Sequence, residues 1–164
     1  MTDHDIYVAI EAMLVKYTGV KVDNVLRAYP GRRVCLPPNN DYIIMTLTNS
    51  QRLDTPSAEW NADTYTVIQD REGIMQLDFF GKNAAVRANA VVDLSRSPIL
   101  CDFLQPFNIQ VLYADDVSNT TGISPEKNYV ERRTVQLHLN YATDVSVEVD
   151  TFTAAELNIF ETEL

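Results

Sequence analysis

The stretch Val135-Gln136-Leu137-His138-Leu139-Asn140-Tyr141-Ala142-Thr143-Asp144-Val145-Ser146-Val147-Glu148-Val149 decides the fold. Its odd positions Val135, Leu137, Leu139, Tyr141, Val145, Val147 and Val149 are apolar, while Gln136, His138, Asn140, Ser146 and Glu148 are polar. Side chains of a strand alternate between two faces, so this parity predicts a long, half-buried antiparallel strand, with a bend at residues 142–144. A one-residue slip would turn every valine to water, which fixes the register of its pairing. Upstream, Ile109, Val111 and Tyr113 alternate as a second strand, and residues 115–127 read as a polar loop carrying Gly122 and Pro125. Ile43, Met45 and Leu47 share one face of a third strand, with Tyr42, Ile44, Thr46 and Thr48 on the other. Residues 60–69 and 74–80 are rich in Thr, Tyr, Val, Ile and Phe and flank Asp70-Arg71-Glu72-Gly73, a turn by composition, so they predict a long hairpin. A short strand after Asn24 runs into a basic, proline-containing loop (Gly31-Arg32-Arg33, then Pro37-Pro38-Asn39-Asn40).

Helices bracket and interrupt these strands. Ile6, Ala9, Ile10, Met13, Leu14 and Tyr17 fall on one stripe of 3.6-residue period. Thr2 or Asp3 can cap it, Asp5 complements the dipole, and Gly19 supplies a left-handed stop. A second helix is expected after Gly81, capped at Asn83, with Ala84, Ala88, Val91 and Leu94 facing the sheet. Ser97-Pro98 reads as N-cap and N1 of a third helix reaching Leu104, stopped by Pro106. Strands cluster and helices cluster, so the fold class is α+β: an antiparallel β-sheet with a long hairpin, packed by an N-terminal helix and a central helix pair. Residues 1–153 are expected to form one domain, and 154–164 a C-terminal tail that either forms a short amphipathic helix or docks elsewhere through Leu157, Ile159 and Phe160.

Composition limits what such a domain does. With 164 residues, 46% hydrophobic and 22% charged, the chain buries roughly 70% of its unfolded surface and needs no staple. The 23 acidic residues against 13 basic ones give a net charge of −10, which argues against a nucleic-acid clamp and against an anionic membrane surface. The start Met1-Thr2-Asp3-His4-Asp5 is unlike a signal peptide and no apolar run approaches ~18 residues, so the expectation is a soluble, intracellular chain.

Catalytic and metal motifs are scarce. Cys35 and Cys101 form no C-x-x-C pair and have no metal-ligand neighbours; Cys101 reads as a small core residue and Cys35 as an incidental loop thiol beside Arg32 and Arg33. His4 reads as solvated and His138 as a surface or interface histidine, with no particular proton-transfer partner. No phosphate loop, dinucleotide fingerprint, nucleophile elbow or zincin motif occurs. Asp115-Asp116 reads as the polar start of a loop rather than a cation site. Glu131-Arg132-Arg133 opens the long strand, where one arginine is placed to pair with a carboxylate across the sheet or across a subunit boundary.

Several pieces, in order along roughly residues 6–149, resemble one family. They are the opening helix, the proline-rich loop before Asp41-Tyr42-Ile43-Ile44-Met45, Gln76-Leu77-Asp78-Phe79-Phe80-Gly81 with its alanine-rich helix, and Glu131-Arg132-Arg133 leading into the final strand. Together these resemble the neck and tail-terminator proteins of long-tailed bacteriophages. The resemblance implies a structural, non-enzymatic virion subunit without cofactor. It implies a ring, commonly a hexamer, that caps the tail tube, stops its polymerisation and meets the head connector, with the sheath protein as a further neighbour. DNA would slide through an acidic lumen, for which Asp115 and Asp116 are the candidates, and the net charge fits a ring that must not grip phosphate. Subunit contacts are expected at Trp60, Tyr65 and Arg71 of the hairpin, at Glu131, Arg132 and Arg133, and at Leu157 and Phe160 of the tail. Two other classes stay open at this point. One is an acidic protein-binding module such as a DNA-mimic inhibitor, which needs its carboxylates on one face. The other is a small hydrolase, which needs a pocket holding His138 and a carboxylate.

Overall fold

The computed structural model describes residues 1–28, 35–38, 40–61, 63–123 and 129–149. Helix α1 (Asp3–Thr18) begins in a capping box in which Thr2 accepts from the Asp5 amide and Asp5 accepts from the Thr2 amide, and Gly19 ends it at φ 66°. Strand β1 (Val25–Arg27) adds in parallel to β2 (Ile43–Arg52), the one parallel pair of a sheet that is otherwise antiparallel among the described residues. Beyond β2 come β3 (Ser57–Asn61) and β4 (Thr64–Phe80), then α2 (Ala84–Leu94), α3 (Pro98–Leu104) and β5 (Ile109–Ala114). The short strands β6 (Ser118–Asn119), β7 (Gly122–Ile123) and β8 (Tyr129–Val130) precede β9 (Arg132–Glu148). The sheet order is β1-β2-β4-β9-β5, with β3 beside β4 and β6 beside β9, while β7 and β8 pair separately. The helices cover the odd face of this sheet. Ile6, Ile10, Met13 and Leu14 pack with Met45, Met75, Leu77, Phe79, Leu137 and Leu139 in a core that excludes water almost completely.

Four expectations are corrected. Residues 70–73 are not a turn: β4 runs unbroken for 17 residues and pairs with β9 from Thr64↔Glu148 to Phe80↔Arg132. The polar cluster that mimics a turn is instead satisfied sideways. Arg71 Nε donates to Thr143 Oγ1 at 3.0 Å, and Glu72 accepts from Gln51 Nε2 at 3.0 Å. Gly73 is there because the ring of Tyr141 lies over it; a Cβ would stand 2.8 Å from Tyr141 Cε1. The run 60–69 is not one strand: β3 ends at Asn61 and β4 starts at Thr64, so the long hairpin has β2 and β4 as its arms, with β3 in the connection between them. The loop read at 115–127 holds β6 and β7. In β5 a bulge between Val111 and Tyr113 moves Tyr113 off the face of Ile109 and Val111, so that it pairs with His138.

Elsewhere the pattern holds. Ser97 caps α3 by accepting from the Leu100 amide, with Pro98 at N1. Gly81 at φ 97° ends β4, and Asn83 precedes α2 without a side-chain cap bond. The loop arginines Arg32 and Arg33, and the tail, lie outside the described residues.

Candidate functional site

Strand β2 leaves β4 near residue 71 and β5 leaves β9 at Tyr141, but β4 and β9 continue together, joined by β3. The result is a three-stranded ribbon that extends roughly 20 Å past its neighbours at about 3.3 Å per residue. Cross-strand partners share a face, and here the register places Ala58, Val67 and Val145 in one row and Trp60, Tyr65 and Val147 in the next. Trp60 and Tyr65 hold each other with ring centroids 4.5 Å apart. The row is open to water: Trp60 is 67% exposed, Val145 62% and Val147 54%. The opposite face carries Ser57, Glu59, Asn61, Thr64, Thr66, Asp144, Ser146 and Glu148 with Ile68 as its one apolar residue, and Thr66 and Ser146 share a hydroxyl hydrogen bond of 2.9 Å. The ribbon is thus amphipathic, and its apolar face continues the parity of the core strands.

The residues expected at subunit contacts divide sharply. Trp60 and Tyr65 come together on this face. Arg71 does not: it is half-buried in mid-strand and held by Thr143. Arg132 and Arg133 lie where β9 is flanked on both sides, by β4 and by β6, so the expected edge there is closed. Arg132 reaches across the sheet to Asp78 (Nη2–Oδ1 3.0 Å), as the cross-sheet pairing required, and stacks over Phe80. Thr134 also donates to Asp78, at 2.6 Å, so this buried carboxylate is well satisfied. Arg133 pairs with Glu131 at 3.3 Å. Leu157 and Phe160 lie outside the described residues.

His138 is not a surface residue. It is 8% exposed, stacks on Tyr113 at 4.1 Å and lies 2.9 Å from Glu72 Oε1 through Nδ1, with Asp115 Oδ1 3.8 Å from Nε2. The hydrogen bond from His138, helped by Gln51, holds the Glu72 carboxyl below its ordinary range. The signal that could have revealed this pair was the register itself, since Ile74↔His138 puts Glu72 one diagonal away on the same face. Asp115 and Asp116 are exposed at the end of β5. Tyr42, stacked on Phe80 at 4.5 Å, has its hydroxyl pKa raised by burial. A groove lined by Met1, Asp5, Thr66, Ile68, Phe107, Asn108, Ala142 and Asp144 runs along the base of the ribbon, and His138 is not among its lining residues. Among the described residues, no three His, Cys, Asp or Glu side chains gather at metal-binding distances.

What the site offers is therefore a binding surface: one apolar face and two strand edges on a ribbon that leaves the body of the domain. No curated protein matches the chain. The family model of the phage neck terminator protein matches residues 5–163, nearly the whole sequence, and the chain belongs to that family of structural proteins.

Proposed function

We propose that the chain is a ring subunit of the phage neck. In this reading six copies close around the DNA path, cap the tail tube, end its growth and join it to the head connector, with the sheath protein as a further neighbour. The observation that carries it is the apolar row Ala58, Trp60, Tyr65, Val67, Val145 and Val147 on the ribbon, in which Trp60, Val145 and Val147 are exposed and Tyr65 and Val67 half-buried. A contiguous apolar face on an extended ribbon is paired with protein in the working state, since monomers seldom leave such faces in water. Asp115 and Asp116 are assigned to the lumen, where carboxylates repel phosphate and let the duplex slide. The subunit acts by shape and adhesion, with no cofactor and no turnover. The acidic-module alternative gains nothing from the geometry, because Glu11, Asp41, Glu72 and Asp78 are tied to Arg27, Arg87, His138 and Arg132 rather than offered to a partner.

Light scattering on the purified chain, alone and with the tail-tube protein, tests this. Wild type is expected to run as a multiple of the 18.5 kDa monomer, and Trp60→Asp as a monomer with an unchanged melting temperature. Wild type that stays monomeric in both settings would overturn the ring.

A further inference from the structure

The two edges of the ribbon are as informative as its face. On one side β3 has β4 as its only described partner. On the other, residues 144–148 of β9 pair inward with β4 and, among the described residues, with nothing outward, because β5 stops at Tyr141 and β6 reaches only Arg133 and Thr134. Each side thus presents a row of backbone donors and acceptors. Residues 57–61 and 144–148 contain no Lys, Pro or Gly, and all are exposed; the charges they carry are the carboxylates Glu59, Asp144 and Glu148.

Strand β3 is antiparallel to β4 and β4 to β9, so β3 and β9 point the same way. Two copies standing side by side therefore bring β9 of one against β3 of the next as a parallel pair. The internal register sets Ser57 level with Asp144 through Ile68, Glu59 level with Ser146 through Thr66, and Asn61 level with Glu148 through Thr64. Joined at that level, every carboxylate on the polar face meets a hydroxyl or an amide: Asp144, whose Oδ1 the N-terminal ammonium holds at 2.9 Å, meets Ser57, Glu59 meets Ser146 and Glu148 meets Asn61. On the apolar face Val145 meets Ala58 and Val147 meets Trp60, so the hydrophobic row continues unbroken from copy to copy. A shift of two residues either way sets Glu59 against Asp144 or against Glu148, and like charges placed opposite destabilise a strand pair.

We infer that copies of this chain join head-to-tail by strand addition, the 144–148 edge of one pairing in parallel with the 57–61 edge of the next, in the level register. The contact uses two different surfaces, so it is heterologous and propagates around a ring rather than stopping at a two-fold dimer. This rests on the ring reading above and specifies how the ring is sealed.

Disulfide trapping in a background with Cys35→Ser and Cys101→Ala tests it. Within one chain residues 59 and 146 are two strands apart, near 9.6 Å, too far to bridge, whereas neighbours in a pair of strands are within reach. The double variant Glu59→Cys/Ser146→Cys, and independently Asn61→Cys/Glu148→Cys, is expected to give on oxidation a covalent ladder ending at the ring. Glu59→Cys or Ser146→Cys alone should give no crosslink, and a mixture of the two single variants should give dimers and nothing larger. Circular dichroism and light scattering before oxidation establish that each variant is folded and assembled. Self-crosslinking of Glu59→Cys alone would mean a two-fold contact and overturn the inference. So would a ladder from the shifted pair Glu59→Cys/Asp144→Cys in place of the level one, or an assembled ring that yields no ladder. Chains that remain monomeric with and without the tail-tube protein would overturn the ring reading, and the pairing with it.

Discussion

Gly73→Ala separates a steric role in mid-strand from the turn that the composition suggests. Alanine is otherwise the better residue in a strand interior, by roughly 0.5–1 kcal/mol of backbone entropy. Here its Cβ would stand 2.8 Å from Tyr141 Cε1, where ordinary contact begins at 3.4 Å, with Leu47 Cδ1 a further 3.4 Å neighbour. The ring must retreat by roughly 0.6 Å in a close-packed site. Tyr141 cannot do so freely, because it is 3% exposed and its hydroxyl shares a 2.7 Å hydrogen bond with Ser50. Overpacking of this kind costs about 1–3 kcal/mol, which lowers the melting temperature by roughly 2–12 °C for a chain of this size. The assay is urea unfolding followed by circular dichroism, with Tyr141→Val as the second arm of a double-mutant cycle. The double variant should be more stable than the sum of the single losses implies, by about 1–2 kcal/mol, since removing the ring removes the clash. A Gly73→Ala chain as stable as wild type, or two strictly additive losses, would refute the steric account.

Three further outcomes follow from the same packing. Arg87, 9% exposed, holds Asp41 through two bonds of 2.6 and 3.1 Å, so Arg87→Ala should cost about 1.5–3 kcal/mol by removing these charge-assisted hydrogen bonds, read as a lower urea midpoint with unchanged slope. Gly81→Ala places a Cβ 2.7 Å from the Asn40 carbonyl at φ 97° and should cost at least about 2 kcal/mol by the same assay. Because the His138 hydrogen bond depresses the folded pKa of Glu72, its stabilisation is fully present above the unfolded value of 4.5 and is lost as pH falls through the lower folded value. The stability gap between wild type and Glu72→Gln should therefore be widest above pH 4.5 and close in stronger acid; a gap that does not vary with pH would contradict it.

Much of the fold was legible because burial and period agree. The stripe of α1, the Ser97-Pro98 start of α3 and the odd-position valines and leucines of β9 each state their structure locally. What misled was chemistry that a turn and a polar strand face share. Asp70, Arg71, Glu72 and Gly73 carry turn residues, yet their partners are on β2 and β9, and Gly73 answers to Tyr141, 68 residues away. Tyr113 shows the same limit, since one bulged residue reverses a face and no alternation reports it. At the candidate site the pairing of Trp60 with Tyr65 across β3 and β4 was not foreseen, since both fall in the run read as one strand, yet both were legible as candidate contact residues. The open edges were not, because which strand ends without a neighbour depends on where β2 and β5 stop. The clue lay in the decisive strand itself: Val145 and Val147 keep the core parity yet stay exposed.

The measurement that bears most directly on the central claim is gold-labelled antibody staining of intact particles containing the protein, viewed by electron microscopy. The account expects label at the junction where head meets tail. Label concentrated at the far tip of the tail or spread over the capsid would contradict it.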